Sequence, residues 1–233
     1  MRNRPIPTLS DAQKAMIRAL VCYEDEYLIA FDKPSGLAVQ TRGNRGTSLD
    51  FLLWAFTRSN GKRPHLVHRI DAGTSGLVLA AKTKPATAFL STEFAERRVK
   101  KTYLALVQGD LPEVEQGACD APILKSGRRA EVVGLGQGGD QALTHWRILS
   151  RVGGYALVQA EPHTGRMHQI RVHLAHLGCP ILGDPIYGRG TETAARLMLH
   201  AAGLEITFPN HEKRALAAPV PEDFDQRRKA LGL

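Results

Sequence analysis

His68-Arg69-Ile70-Asp71-Ala72-Gly73-Thr74-Ser75-Gly76 sets one carboxylate between an apolar residue and a run of glycine, threonine and serine. Glycine and the hydroxyl residues let a backbone turn sharply and supply donors beside Asp71. Leu77-Val78-Leu79-Ala80-Ala81 follows at once and reads as a strand. A carboxylate on a rigid turn next to a sheet is a suitable mounting for a nucleophile or a base. The ordinary alternative for an isolated Asp-x-Gly is a turn in which the carboxylate only bonds its own backbone.

Other segments offer further chemistry. A helix over Met167 to Leu177 would align Met167, Ile170, Leu174 and Leu177 as one apolar stripe, with Gly178 as its stop. Arg171 then lies on the shoulder of that stripe, where a cation is costly unless paired. His163, His168, His173 and His176, with Cys179 close behind, raise the possibility of a zinc hydrolase or a zinc-structured binding module. Against it, His173 and His176 fall on the outer side of the helix, and no Cys-x-x-Cys or His-Glu-x-x-His accompanies them. Gly134-Leu135-Gly136-Gln137-Gly138-Gly139 lacks the helix and the acidic residue of a dinucleotide fingerprint, so it reads as a hairpin loop.

Several of these stretches occur, in order, in one known family. His68–Gly76 resembles the active-site motif of the RluA-type pseudouridine synthases, with Ile70 where the family has Leu. Lys101-Thr102-Tyr103-Leu104-Ala105-Leu106-Val107 is similar to the strand carrying the family's active-site tyrosine, and Thr164–His173 resembles its third motif. Leu177–Gly188 matches the loop after that motif. Tyr23–Glu26 with Asp32-Lys33-Pro34-Ser35-Gly36 fits the start of the catalytic domain. The likeness runs over roughly residues 20–220, and five motifs in sequence are not a chance match.

The resemblance implies an enzyme that isomerises uridine to pseudouridine in RNA, with no cofactor and no metal. It implies Asp71 as nucleophile, Tyr103 stacking on the uracil, and Arg171 pairing with Asp71. It also places Arg69 in the space left by a flipped uridine, and Thr74, Arg166 and Ile170 in the substrate site, although Thr74 and Ser75 foremost shape the turn. Lys125, Arg128, Arg129 and Arg166 can contact phosphates. Ala121–Lys125 and Ala142–Trp146 look more like the branch acting on large-subunit ribosomal RNA than the tRNA branch. A rival within the same resemblance is an RNA-binding protein that has lost catalysis, which the retained Asp71, Tyr103 and Arg171 oppose.

Composition fits this reading. The chain has 233 residues, 43% hydrophobic and 23% charged, with a net charge of +8. The positive excess favours a polyanionic partner. Cys22, Cys119 and Cys179 are far apart and odd in number, which suggests free thiols in a reducing cytoplasm. No apolar run is long enough to span a bilayer, and the first twenty residues lack a signal core. A monomer needing no protein partner is expected.

The elements that must position these residues follow from local pattern. Residues 1–18 read as a polar arm and 19–233 as one α+β domain. Its mixed, largely antiparallel central sheet is flanked by helices, the fold that the resemblance also implies. Many relatives carry an RNA-binding S4 domain ahead of the catalytic domain; either this chain is a member without one, or the sequence begins after it. Strands are expected over 19–23, 27–32, 77–82, 103–108, 142–149, 155–161 and 203–208. Thr47 or Ser48 can cap a helix burying Leu49, Leu52, Leu53 and Phe56. Thr83 and Pro85 open another, burying Ala86, Phe89, Leu90 and Phe94.

Overall fold

Seven consecutive residues, Ser75–Ala81, are buried without alternation, which marks a strand covered on both faces. In the computed structural model, residues 7–41, 47–110 and 112–233 are described. The chain divides into two units. The first runs to Val99 and takes in Glu205–Ala218; the second comprises Lys100–Leu204 and Pro219–Leu233. The expected catalytic domain over 19–233 spans both.

The first unit opens with helix α1 (Asp11–Ala19), inside the stretch read as a polar arm. Its Ser10 and Gln13 form a reciprocal capping box, and its Ile17 is buried. Residues 1–6 lie outside the described residues. Strands β1 (Val21–Glu24) and β2 (Leu28–Lys33) make an antiparallel hairpin around the acidic turn. Ser48 caps the short helix α2 (Leu49–Leu52), which continues as a 3-10 turn to Phe56. The two-residue strand β3 (His65–Leu66) and β2 both pair antiparallel with β4 (Ser75–Ala81). Thr83 then caps helix α3 (Lys84–Ala95), with Pro85 in its first turn. Caps of this kind contribute about 1 kcal/mol each. Ala86 and Leu90 of α3 are buried, while Phe89 and Phe94 are half-buried.

The second unit begins with β5 (Lys100–Gln108), followed by β6 (Gln116–Cys119). A separate two-stranded ribbon, β7 (Ile123–Ser126) and β8 (Arg129–Val132), turns at Gly127-Arg128. The Gly-rich stretch 134–139 is a loop with no helix after it, as its composition predicts. Strands β9 (Thr144–Val152) and β10 (Tyr155–Pro162) form a long hairpin, and the order in this unit is β5-β10-β9-β6. Along β10 burial alternates strictly, so one face meets the core and the other is less covered. Helix α4 (Gln169–His176) lies inside the expected 167–177. Its end is a Schellman motif: Cys179 N–H bonds Leu174 O at 3.0 Å and Gly178 N–H bonds Ala175 O at 3.1 Å. Gly178 has φ +82°, the left-handed conformation this cap requires.

Strand β11 (Leu199–Thr207) lies beside β5; its last three residues belong to the first unit, as does its partner β12 (Lys213–Ala217). Helix α5 (Glu222–Ala230) closes the second unit and buries Phe224 in its core with Leu106, Val158, Leu174 and Ile181.

Candidate active site

The turn that carries Asp71 is held by its own backbone and by the segment after β2. Thr74 N–H bonds Asp71 O at 3.1 Å, closing the turn. Lys33 is fully buried, and its ammonium donates to Pro34 O at 2.9 Å and Ala72 O at 3.1 Å. Ser35 Oγ donates to Gly73 O at 2.7 Å, and Gly36 N–H to Ala72 O at 2.8 Å. Residues 32–36, which the sequence offered only as the start of a domain, therefore brace the carbonyls on either side of Gly73. Buried carbonyls without such donors would be costly. His68 fixes the other end: its Nε2 accepts Leu79 N–H at 3.0 Å, and its ring stacks on Phe94 at 4.3 Å. Asp71 is half-buried between these supports, and Arg69 is exposed. Thr74 is 2% exposed, consistent with shaping the turn.

In the second unit, Tyr103 stands opposite Ala160 on the β5–β10 ladder and packs, partly exposed, against the main core. Arg171 is buried as the shoulder position predicts, and so needs a partner. Asp184, fully buried, is one that sequence reasoning missed. Arg171 Nε and Nη2 donate to its two oxygens, each at 2.8 Å. Asp184 Oδ1 also accepts the N–H groups of Ile186 at 2.9 Å and Tyr187 at 3.1 Å. Burial alone would raise this carboxyl. The Arg171 hydrogen bonds, the Ile186 N–H, the Arg171 charge and the Tyr187 N–H outweigh it and hold the carboxyl below the usual range. Tyr187 covers the Arg171 guanidinium with its ring, 5.1 Å to the centroid.

The remaining expected residues have other surroundings. Arg166 donates through Nε to Gln141 O at 2.9 Å and pairs with Asp140 at 3.6 Å. Ile170 is 6% exposed and belongs to the core. Lys125, Arg128 and Arg129 are exposed on the β7–β8 ribbon.

The placement of His173 on the outer side of α4 is corrected: it is 1% exposed, while His176 is exposed. Helix α4 is covered on that side too, where β9 and the Ala121 carbonyl supply polar partners. His173 Nε2 donates to Ala121 O at 3.0 Å, so its Nδ1 accepts from Thr144 Oγ1 at 2.9 Å. Thr144 in turn accepts Gln169 Nε2, and Gln169 Oε1 accepts Thr164 Oγ1. With both ring nitrogens committed, His173 is not available to a metal. Among the described residues no group of three or more potential ligands lies together.

Burial pushes the His173 imidazole down from its ordinary value of 6.5, ahead of the opposing Ala121 bond. The unfolded chain therefore takes up the proton first, and stability falls as pH drops through about 6.5 toward the lower folded value. Thermal melts from pH 7.5 to 5.0 should show a smaller loss for His173→Asn than for the native chain. Equal losses would place the titrating group elsewhere.

The chain is similar to known proteins over most of its length. Residues 27–176 match the RNA pseudouridylate synthase family model. The chain belongs to that family, in its RluA-type branch. A Zymomonas mobilis protein named as an uncharacterised RNA pseudouridine synthase is 38% identical, over 88% of this chain and 94% of its own. The ribosomal large subunit pseudouridine synthase D of Nitrosomonas europaea is 39% identical, over 94% and 67% respectively. The solved structure of human RNA pseudouridylate synthase domain containing 4 superimposes with a TM-score of 0.80 at 26% identity, over 95% of this chain and 97% of that one. This chain is thus a pseudouridine synthase, with the mixed, mostly antiparallel fold of its relatives.

Proposed function

We propose that this synthase isomerises uridines within structured RNA, large-subunit ribosomal RNA ahead of tRNA, with Asp71 as its nucleophile. The braced turn around Asp71 carries this reading, because a fixed, half-exposed carboxylate suits covalent or acid–base work. The reaction breaks the bond from ribose C1′ to uracil N1 and joins C1′ to C5 of the same base; the C5 proton then leaves. Nothing is oxidised and no group is added, so the side chains suffice without cofactor or metal. Asp71 attacks the ring or the sugar carbon, or removes a sugar proton. Tyr103 stacks on the uracil with its hydroxyl near C5. Arg171 pairs with Asp71, and Arg69 fills the place of the uridine once it is flipped out. Thr74, Arg166 and Ile170 are assigned to the substrate site. The name of the Nitrosomonas europaea relative supports the ribosomal choice.

We assign its action to the cytoplasm, as a monomer, a reading that the three free cysteines support. Release of tritium from RNA labelled at uridine C5 tests the activity. Mapping pseudouridines in total RNA from a strain lacking the protein tests the target; loss confined to tRNA would overturn the ribosomal assignment.

Binding should weaken steeply with salt, given the net charge of +8 and the exposed Lys125, Arg128 and Arg129. Log affinity should fall linearly with log salt, by roughly 0.7 per neutralised phosphate on single-stranded RNA. A flat dependence would remove the electrostatic account. Arg69→Ala should slow a stem-loop substrate more than an unstructured oligonucleotide carrying the same uridine. An equal loss on both would argue against flipping by Arg69.

A further inference from the structure

Two cations on the first unit differ from their neighbours. Lys14 pairs with Asp11, and Arg63 forks onto Asp50 while its guanidinium covers the Trp54 ring at 5.1 Å. Arg18 and Arg58 are exposed, and neither has a carboxylate partner among the described residues. Both line one cleft of about 440 Å³, together with Glu24, Ile29, Phe56 and Lys82. All of these residues belong to the first unit. Arg18 comes from the last turn of α1 and lies over the Phe56 ring, 5.4 Å to the centroid. Arg58 sits on a loop closed on itself: its N–H bonds Lys62 O and its carbonyl accepts Gly61 N–H, both at 2.9 Å. Thr57, just before it, donates its hydroxyl to Trp54 O at 2.8 Å. Lys82 Nζ donates to Glu24 Oε1 and to Asp25 O, each at 2.7 Å.

Three cations therefore share this concave space with one carboxylate. Like charges gathered in a cleft repel one another and attract an anion. A free phosphate would use the cations alone. A nucleotide would also use the aromatic wall, since bases stack on aromatic rings and on arginine guanidinium groups. The cleft is separate from the turn that carries Asp71. That turn precedes β4 and Lys82 follows it, so the seven residues of the strand, roughly 23 Å, lie between them.

We propose that this cleft is a second RNA contact, holding a phosphodiester and the adjoining base of a segment distant from the target uridine. Arg18, Arg58 and Lys82 take the phosphate charge, and the Arg18 guanidinium, backed by Phe56, gives the base a stacking surface. This rests on the reading above that the substrate is structured RNA. The contact adds affinity for long substrates and takes no part in the chemistry.

Arg18→Gln/Arg58→Gln changes two exposed side chains and should leave the fold intact. On RNA extended well beyond the target uridine, affinity should fall roughly tenfold, and the log–log salt slope should shrink by roughly 0.7 to 1.4, for one or two phosphates. On an oligonucleotide too short to span β4, affinity should stay within about twofold, and the saturating single-turnover rate should match native on both. Glu24→Gln should act in the opposite direction, tightening the extended RNA about two- to threefold by removing the carboxylate from the cleft. Glu26→Gln removes the same charge from the same hairpin outside the cleft lining, and should not. Equal losses on long and short RNA, a slower saturated rate, or equal effects of the two glutamate changes would overturn the proposal. The native protein gives a reading that needs no variant. Extended RNA carrying thiouridine away from the target should photo-crosslink to peptides containing Arg18 or Phe56. Crosslinks confined to the second unit would refute the contact. If the native chain binds neither RNA, the RNA substrate itself falls, and this contact with it; a native chain that binds both alike refutes the contact alone.

Discussion

Asp71→Asn should abolish isomerisation while leaving the fold and most of the RNA affinity intact. The amide keeps the volume of the side chain, and the turn is supported through its backbone, with donors on the carbonyls of residues 71–73. What disappears is the nucleophile and base, and losing a covalent catalyst should cost at least about a thousandfold in rate. Tritium release under single-turnover conditions measures this directly, with filter binding of the same RNA as the control. Near-native turnover in a contamination-free preparation would sink the assignment of the site. A melting temperature well below that of the native chain would instead show the carboxylate to be a structural part of the turn.

Arg171→Met should damage both activity and stability, and a second change should separate the two. Removing the cation leaves Asp184 fully buried, with burial now the dominant influence on its carboxyl. Breaking a buried ion pair from one side typically costs about 3–5 kcal/mol. Denaturant unfolding should register a loss of that order. Replacing both partners, as Arg171→Met/Asp184→Leu, should recover much of the stability, because well-packed apolar groups can substitute for a buried pair. Activity should not return with it. A double variant as active as the native enzyme would show that Arg171 serves only the fold.

The parts of the structure legible in the sequence are those specified locally. Thr83 and Pro85 announced α3, the run after Gly76 announced β4, and Gly178 announced the end of α4. Helix α1 was also announced, by Ser10 with Gln13 three residues on, but its polar composition masked the signal. Helix α5 has acidic residues in its first turn and basic ones in its last, yet only Phe224 faces inward, too little for an apolar period to show. The short strands β6, β7 and β8 carry four residues each, below what alternation can reveal. Within the site, the type and shoulder position of Arg171 foretold burial and the need for a partner. No local rule could name Asp184, because twelve residues and a helix cap intervene before the loop brings it back. Lys33 and His173 were hidden for the same reason. Each is a polar side chain with at least one partner from a distant part of the chain, Ala72 O for Lys33 and Ala121 O with Thr144 for His173, and only the folded chain brings those together.

The division of the chain has a consequence for its birth on the ribosome. Synthesis runs from the N-terminal side, so everything up to Val99 emerges before Glu205–Ala218, which this unit also needs. At about 5–20 residues per second, the wait between Val99 and β12 is on the order of ten seconds. Throughout it, nascent polypeptide carries an incomplete first unit while the second is still being made. Chaperones that shelter exposed strands would act in that interval, and a translation pause placed just before codon 205 would lengthen it. Ribosome–nascent chains stalled at residue 150 and the released full-length chain should accordingly differ in protease resistance of the Leu28–Ala81 region.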